Sequence, residues 1–250
     1  MKARLQKILG YVIATVAVLL VWAALSLLIG NPALPLPTVA LLQLYHKLPD
    51  MLPHLAVSLW RVLLAMSIGT LCGSIAGLII GRTGRLDLIA APLLYVLYPI
   101  PKIVFVPVLL VLLGLGSAPA IVLIATVIFF QTLVTARDAA KSLSPDLVLS
   151  VRSLGASRID IARHVVVPAT LPNIFTALRI STGTAIAVLF ITESIAGNTG
   201  IGFYVVNAWG RIDYPTMFAG IIAMALMGVA LYELINFVER HLVRWKDSDS

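Results

Sequence analysis

Apolar residues along this chain gather into six long runs, parted by short segments rich in proline, glycine or charge. A helix needs about 20 successive apolar residues to cross a bilayer, so the pattern predicts membrane-spanning helices rather than a soluble bundle. The first run covers residues 8–29 and follows Lys2, Arg4 and Lys7. It is too long for a signal peptide and lacks a small-x-small cleavage site, which predicts a retained first helix. Asn31-Pro32 and a proline-rich stretch to Pro37 break the chain, and a polar segment continues through His54. Further spans are predicted over about residues 55–80, 88–115, 120–135, 171–195 and 215–238. The third is interrupted at Tyr98-Pro99-Ile100-Pro101-Lys102, a polar stretch with helical character fills 137–164, and a glycine-rich connection covers 197–213.

Composition supports this reading. The chain is 60% hydrophobic and 12% charged, with mean hydropathy +1.02, whereas a soluble domain carries about 25% charged residues. The net charge of +7 would suit nucleic acid, but in a membrane protein the placement of basic residues comes first. With the N-terminus inside, the cytoplasmic ends hold Lys2, Arg4, Lys7, Arg82, Arg85, Arg137, Lys141, Arg152, Arg158, Arg163, Arg240, Arg244 and Lys246. The outer loops hold only Lys47 and Arg211. All six spans obey the positive-inside rule in this orientation, so topology explains the basic balance and nucleic-acid binding is unnecessary. The chain then divides into a first helix with its periplasmic segment (1–54), a core (55–246) with a cytoplasmic loop at about 137–170, and a tail (247–250). Both termini are expected in the cytoplasm. Cys72 has no partner for an intrachain disulfide, and His46, His54, His164 and His241 lack metal-ligand spacing.

Several span residues bear on mechanism. Ala65, Gly69, Gly73, Gly77 and Gly81 recur at every fourth position, one helix face that admits close backbone approach, either to a neighbouring helix of this chain or to another subunit. Prolines 99 and 101 free carbonyls that lipid cannot satisfy; such backbone is tolerated inside protein or beside a watery cavity, and broken helices build transporter sites. Lys102 beside the break, with Tyr95 and Tyr98 one turn away, is a candidate for the translocation pathway, although a lysine there could also snorkel to an interface. Arg179 and Glu193 in the fifth span are further pathway candidates. Arg179 could equally serve a structural ion pair, and Glu193 could pair with a base, gate the path or end a solvated helix. No catalytic residue is expected.

The most informative stretch reads SPDLVLSVRSLGASRIDIARHVVVPATLP from Ser144 to Pro172. Ser144 suits an N-cap with Pro145 at the first helical position. Apolar residues follow at helical spacing to Gly155, whose lack of a side chain suits a turn, and Ser157 can start a second short helix. Pro168 and Pro172 are expected to break the chain as it re-enters the membrane. A short helical pair in water with exposed apolar residues is poorly stable unless something docks on it.

Gly155, nine residues and then Val165-Val166-Val167-Pro168 resembles the loop of bacterial binding-protein-dependent ABC permeases, which reads Glu-Ala-Ala, three residues, Gly, nine residues, Ile-x-Leu-Pro. Leu149-Ser150-Val151 stands in place of Glu-Ala-Ala, a departure that touches the contact of the acidic residue but not the turn. RSLGASR with HVVVPATLP, SLWRVLLA, YPIPKIVFVPVLL, ESIAGNTGIGF and ERHLVRW are similar to the nitrate/sulfonate/taurine branch of that family, over about residues 55–246. The resemblance implies an all-α polytopic fold of six transmembrane helices, the type I ABC importer permease fold, in a bacterial inner membrane. It implies a dimer of permease chains, two copies of an ABC ATPase and a periplasmic or lipid-anchored solute-binding protein. Leu149, Ser150, Val151, Arg152, Ser153, Leu154, Gly155, Ala156 and Ser157 would form the ATPase-coupling contact. ATP and Mg²⁺ would sit on the partner, since this chain has no Gly-x4-Gly-Lys-Ser/Thr loop and no cofactor of its own. The implied cargo is a small, anionic solute. Two other classes compete: a secondary transporter driven by an ion gradient, which leaves the loop unexplained, and a membrane-embedded enzyme, for which no polar constellation is present.

Overall fold

The computed structural model describes residues 2–243; the side chains of residues 2–8 and Tyr11, together with Arg244, Lys246 and the tail, lie outside that description. The described residues form ten α-helices: α1 (Lys2–Ile29), α2 (Pro37–Arg82), α3 (Gly84–Leu97), α4 (Val106–Leu113), α5 (Ser117–Lys141), α6 (Pro145–Ser153), α7 (Arg158–Ile161), α8 (Val167–Ala196), α9 (Ile201–Gly210) and α10 (Tyr214–Leu242). Five of them are long and apolar enough to cross a membrane, and α3 with α4 forms a pair bent by 77° that is apolar enough for a sixth, broken span or a re-entrant loop. A single 3₁₀ turn, Lys102–Phe105, occupies the bend. The break therefore falls where the prolines place it.

The row of small residues on α2 lies against α5. A Cβ on Gly69 would stand 2.6 Å from the Ala125 carbonyl oxygen, and one on Gly73 would stand 2.5 Å from that of Phe129. Gly77 meets Leu133 and Gly81 meets Arg137 in the same way. Each step of four on α2 answers a step of four on α5, so the two helices run parallel and their C-termini share one end of the molecule. Bilayer lipid gives helices no hydrophobic drive to associate, and close backbone contact supplies the attraction instead. The small-residue row thus serves packing within this chain.

α8 runs against α2 and α5, with Ser58 of α2 bonded to Glu193 near its far end. α10 runs with them: Gln43 near the start of α2 donates to Thr216 at the start of α10. The shared core draws on Val62 and Met66 of α2, Ile124 and Ile128 of α5, Leu189 of α8 and Leu231 of α10. α1 stands apart from it, held by Trp22 stacked 5.3 Å from Phe218 and by the Ser26 hydroxyl on the Leu34 carbonyl. Arg82, Arg137 and Lys141 mark one end of the bundle, the basic end; Lys47 and Arg211 lie at the other.

Three stretches depart from the sequence expectation. The polar segment before residue 55 is helical, since α2 runs from Pro37 onward and passes straight through Pro49 and Pro53. At 46 residues and 1.5 Å per residue, α2 is about 70 Å long, far beyond one hydrocarbon layer. The carbonyls its prolines leave unbonded, on Tyr45 and Pro49, sit at exposed positions. Pro168 and Pro172 do not break the chain either. A π-helical turn, Ala162–Val166, carries α7 into α8, with the Val167 N–H on the Ala162 carbonyl; the wider turn absorbs the missing proline donor, and the Thr170 hydroxyl caps the Val166 carbonyl at 2.8 Å. Finally, the glycine-rich connection contains α9, whose apolar face is buried through Ile201, Val205 and Ala208.

Candidate functional site

At the basic end the chain leaves α5 and forms a loop that belongs to no span. Ser144 caps α6 by accepting the Leu147 N–H at 3.2 Å, with Pro145 in the first turn. The turn closes through the Gly155 N–H on the Arg152 carbonyl at 3.0 Å. Gly155 has φ +86, a left-handed conformation that a side chain resists. Ser157 and Asp160 then form a reciprocal capping box at the start of α7. No residue of α6 or α7 is buried. Leu149 is 56% exposed, Leu154 87% and Ile159 77%, so a well-capped unit presents apolar side chains away from the bundle.

The loop has a stiff base. Asp87 of α3 accepts from Arg137 and, at 2.8 Å, from Lys141, both on the last turns of α5. Arg82 of α2 donates to the Ala140 carbonyl at 3.3 Å. Three helices are thereby fastened a few residues before Ser144. On the far side the loop feeds directly into α8 through the π turn.

The pathway candidates are scattered rather than gathered. Tyr95 is exposed on α3. Lys102 donates to the Tyr98 carbonyl and, at 3.0 Å, to that of Leu97, the acceptors stranded where α3 ends, and its ammonium lies 4.7 Å from the Phe130 ring centroid and 5.3 Å from that of Tyr98. Arg179 bonds Glu239 of α10, with further contacts to Asn236 and Thr176.

Glu193 is no solvated helix end. Its carboxylate pairs with Arg61 at 2.8 Å, and the two side chains are 1% and 2% exposed. The Ser58 hydroxyl lies 2.7 Å from one carboxylate oxygen, and the Gly202 N–H donates to the other at 2.9 Å. Arg61 also donates to the Thr199 carbonyl at 2.8 Å, the Thr199 hydroxyl at 2.9 Å and the Ser117 hydroxyl at 3.0 Å. Ser58 accepts the Ile201 N–H at 2.8 Å, and His54 Nδ1 accepts that of Gly200 at 3.1 Å. Sequence reasoning missed this pairing, although a signal was present: Arg61 and Glu193 fall at matching depths near the outer ends of two predicted spans.

Beside this network a polar cleft of about 280 Å³ opens between α2 and α9, lined by Lys47, Asp50, His54, Tyr204, Arg211 and Asp213 among others. Burial raises the Tyr204 phenol above its ordinary range, and Asp50 and Asp213 add to the effect.

The described residues thus form a polytopic helical bundle with a sharply bent helix pair and an exposed, firmly mounted loop at its basic end. The sequence profile described as "binding-protein-dependent transport system inner membrane component" matches residues 69–247, and the chain belongs to that family. It is the permease component of an ABC importer, which sets it apart from transporters driven by ion gradients. The taurine transport system permease protein of Escherichia coli K12 is 31% identical over 192 residues, covering 77% of this chain and 70% of that protein. A putative aliphatic sulfonates transport permease of Bacillus subtilis 168 is 27% identical over 199 residues, 80% of this chain and 72% of the relative. The riboflavin transport system permease of Chloroflexus aurantiacus is 28% identical over 254 residues, 96% and 91% of the two chains. The fold is shared with a bacterial alginate ABC transporter solved with its periplasmic protein (TM-score 0.61, 17% identity, 76% of this chain and 78% of that one). It is shared too with the MetNI methionine ABC transporter (TM-score 0.58, 21% identity, 78% and 97%).

Proposed function

We propose that two copies of this chain form the pore of an importer powered by a separate pair of ATPase subunits, with residues 149–157 as the contact through which that power arrives. The observation that carries this reading is the loop itself: capped at both helices, turned at Gly155, apolar at Leu149 and Leu154, and mounted on α5 and α8. A lever needs an exposed head and a stiff arm, and the Asp87–Arg137–Lys141 cluster stiffens the arm. ATP and Mg²⁺ belong to the partner. Closure of the ATPase pair would draw two such loops together and turn the pore from inward- to outward-facing.

The basic end then faces the cytoplasm, as do both termini, in a bacterial inner membrane. A periplasmic or lipid-anchored binding protein delivers solute at the opposite end, where α9 and its polar cleft lie. The cargo is a small anionic solute of the sulfonate class, by likeness to the taurine and sulfonate relatives. Arg61, Lys102 and Arg179 are all engaged by groups of this chain, so recognition of the anion rests with the binding protein.

Pull-down of the tagged chain from its native membrane in mild detergent tests the reading. Wild type should bring down a cytoplasmic ATPase, and Gly155→Trp should lose it while remaining folded. A folded wild-type protein that recovers no ATPase contradicts the proposal.

A further inference from the structure

The buried network at the outer end has a lopsided distribution. An ion pair that only neutralised its own charges would need no contact beyond itself. Here Arg61 sends two of its donors to Thr199, Glu193 takes the Gly202 N–H, and Ser58 takes that of Ile201. The first N–H groups of a helix have no acceptor within the helix. In α9, that of Ile201 finds its acceptor on α2 and that of Gly202 on α8. A carboxylate at that position is also favoured by the helix dipole.

Gly200 shows how closely the segment is moulded on the pair. It has φ +109, and a Cβ there would overlap the Glu193 carboxylate itself. The Ser117 hydroxyl brings the start of α5 to the same guanidinium. One salt bridge thus fastens α2, α5, α8 and the entry to α9.

We propose that Arg61 and Glu193 are positioning residues that lock α9 to the α2–α5–α8 body, so that α9 travels with these spans when the pore changes access and serves as part of its outer closure. The lock is a property of this chain alone; what α9 closes rests on the importer reading. In lipid a half-satisfied charge would be costly, so the lock holds only while both partners and the Thr199 contacts are intact.

The test uses the assembled importer in membranes, with Cys72→Ser as background and Ile201→Cys as reporter, since Ile201 opens α9 with its N–H on Ser58 and is 0% exposed. Labelling by a membrane-impermeant maleimide should be slow in this parent. In Arg61→Met/Glu193→Gln, which removes both charges and leaves neither unpaired, labelling should accelerate by about tenfold or more as α9 opens locally, while the global unfolding midpoint stays near that of the parent. Gly200→Ala keeps both charges but drives a methyl group into the carboxylate, and should give the same acceleration if the double variant fails to assemble. Solute uptake should fall in both variants. Labelling as slow as the parent in a folded variant of either kind would overturn the lock, as would acceleration that only follows loss of the global fold. A parent that labels slowly but takes up no solute with ATP would instead strike the importer reading and leave the lock standing.

Discussion

Gly73 approaches Phe129 so closely that a Cβ on the glycine would stand 2.5 Å from the phenylalanine's carbonyl oxygen. The contact is backbone against backbone, and it repeats one turn earlier between Gly69 and Ala125. Two parallel helices are thereby zipped from Gly69 to Gly81 of α2, and the end of α5 that carries the loop is fixed to the end of α2. Packing at this crossing decides where the loop sits.

Gly73→Leu should therefore force α2 from α5. Overpacking a close-fitted site costs about 1–3 kcal/mol, and here the obstacle is backbone, so the upper end is expected. Gly183, around which a Cβ would meet nothing within 4 Å, is the control: Gly183→Ala should be neutral or slightly stabilising. Thermal unfolding of both variants in detergent checks the contrast.

Lys102→Met should strip the Tyr98 carbonyl of its side-chain donor at the bend and leave that of Leu97 only the Ile100 N–H at 3.4 Å. Hydrogen bonds to charged groups contribute about 1.5–3 kcal/mol, and a loss of stability of that order is expected. Discrimination between anionic and neutral solutes in proteoliposome uptake should not change, because the ammonium is occupied by backbone. A lost preference for anions would return Lys102 to the pathway.

Asp87→Asn should loosen the base of the loop by weakening the bonds to Arg137 and Lys141. The expected result is retained binding of the ATPase with more ATP hydrolysed per solute carried. Paired measurements of hydrolysis and uptake give the ratio, and an unchanged ratio would show that the cluster stabilises without stiffening.

Ser157→Ala removes the capping box of α7. Losing an N-cap costs about 1 kcal/mol of helix stability, and here it should fray the first turn of a helix that continues through the π turn into α8. Faster hydrogen exchange confined to residues 158–161 is expected, with the spans unaffected.

Spacing made much of this legible. The fourfold recurrence from Ala65 to Gly81 announces a close crossing, and the caps at Ser144 and Ser157 are local chemistry that needs no tertiary context. The six spans are legible for the same reason, since length and hydropathy decide them. What stayed hidden depends on distant partners. Arg61 and Glu193 are 132 residues apart, and nothing local tells a buried, paired glutamate from a solvated helix end. Prolines misled in one direction: Pro99 and Pro101 do break a span as expected, whereas Pro168 and Pro172 ride within helical chain that a π turn leads into, and Pro49 and Pro53 lie inside α2 with their freed carbonyls at exposed positions. α9 was obscured by its flanking glycines, one of which, Gly200, is there to let the chain close over Glu193.

The central claim is that the loop head is a docking surface for a separate ATPase. Replacing Leu154, 87% exposed at the turn, with a photoreactive amino acid and irradiating native membranes tests it most directly. The account predicts one dominant cross-linked product, containing a soluble nucleotide-binding subunit and absent when the reactive group is placed at Leu28 on the opposite end. Cross-links from Leu154 to lipid alone, with the protein intact and folded, would contradict it.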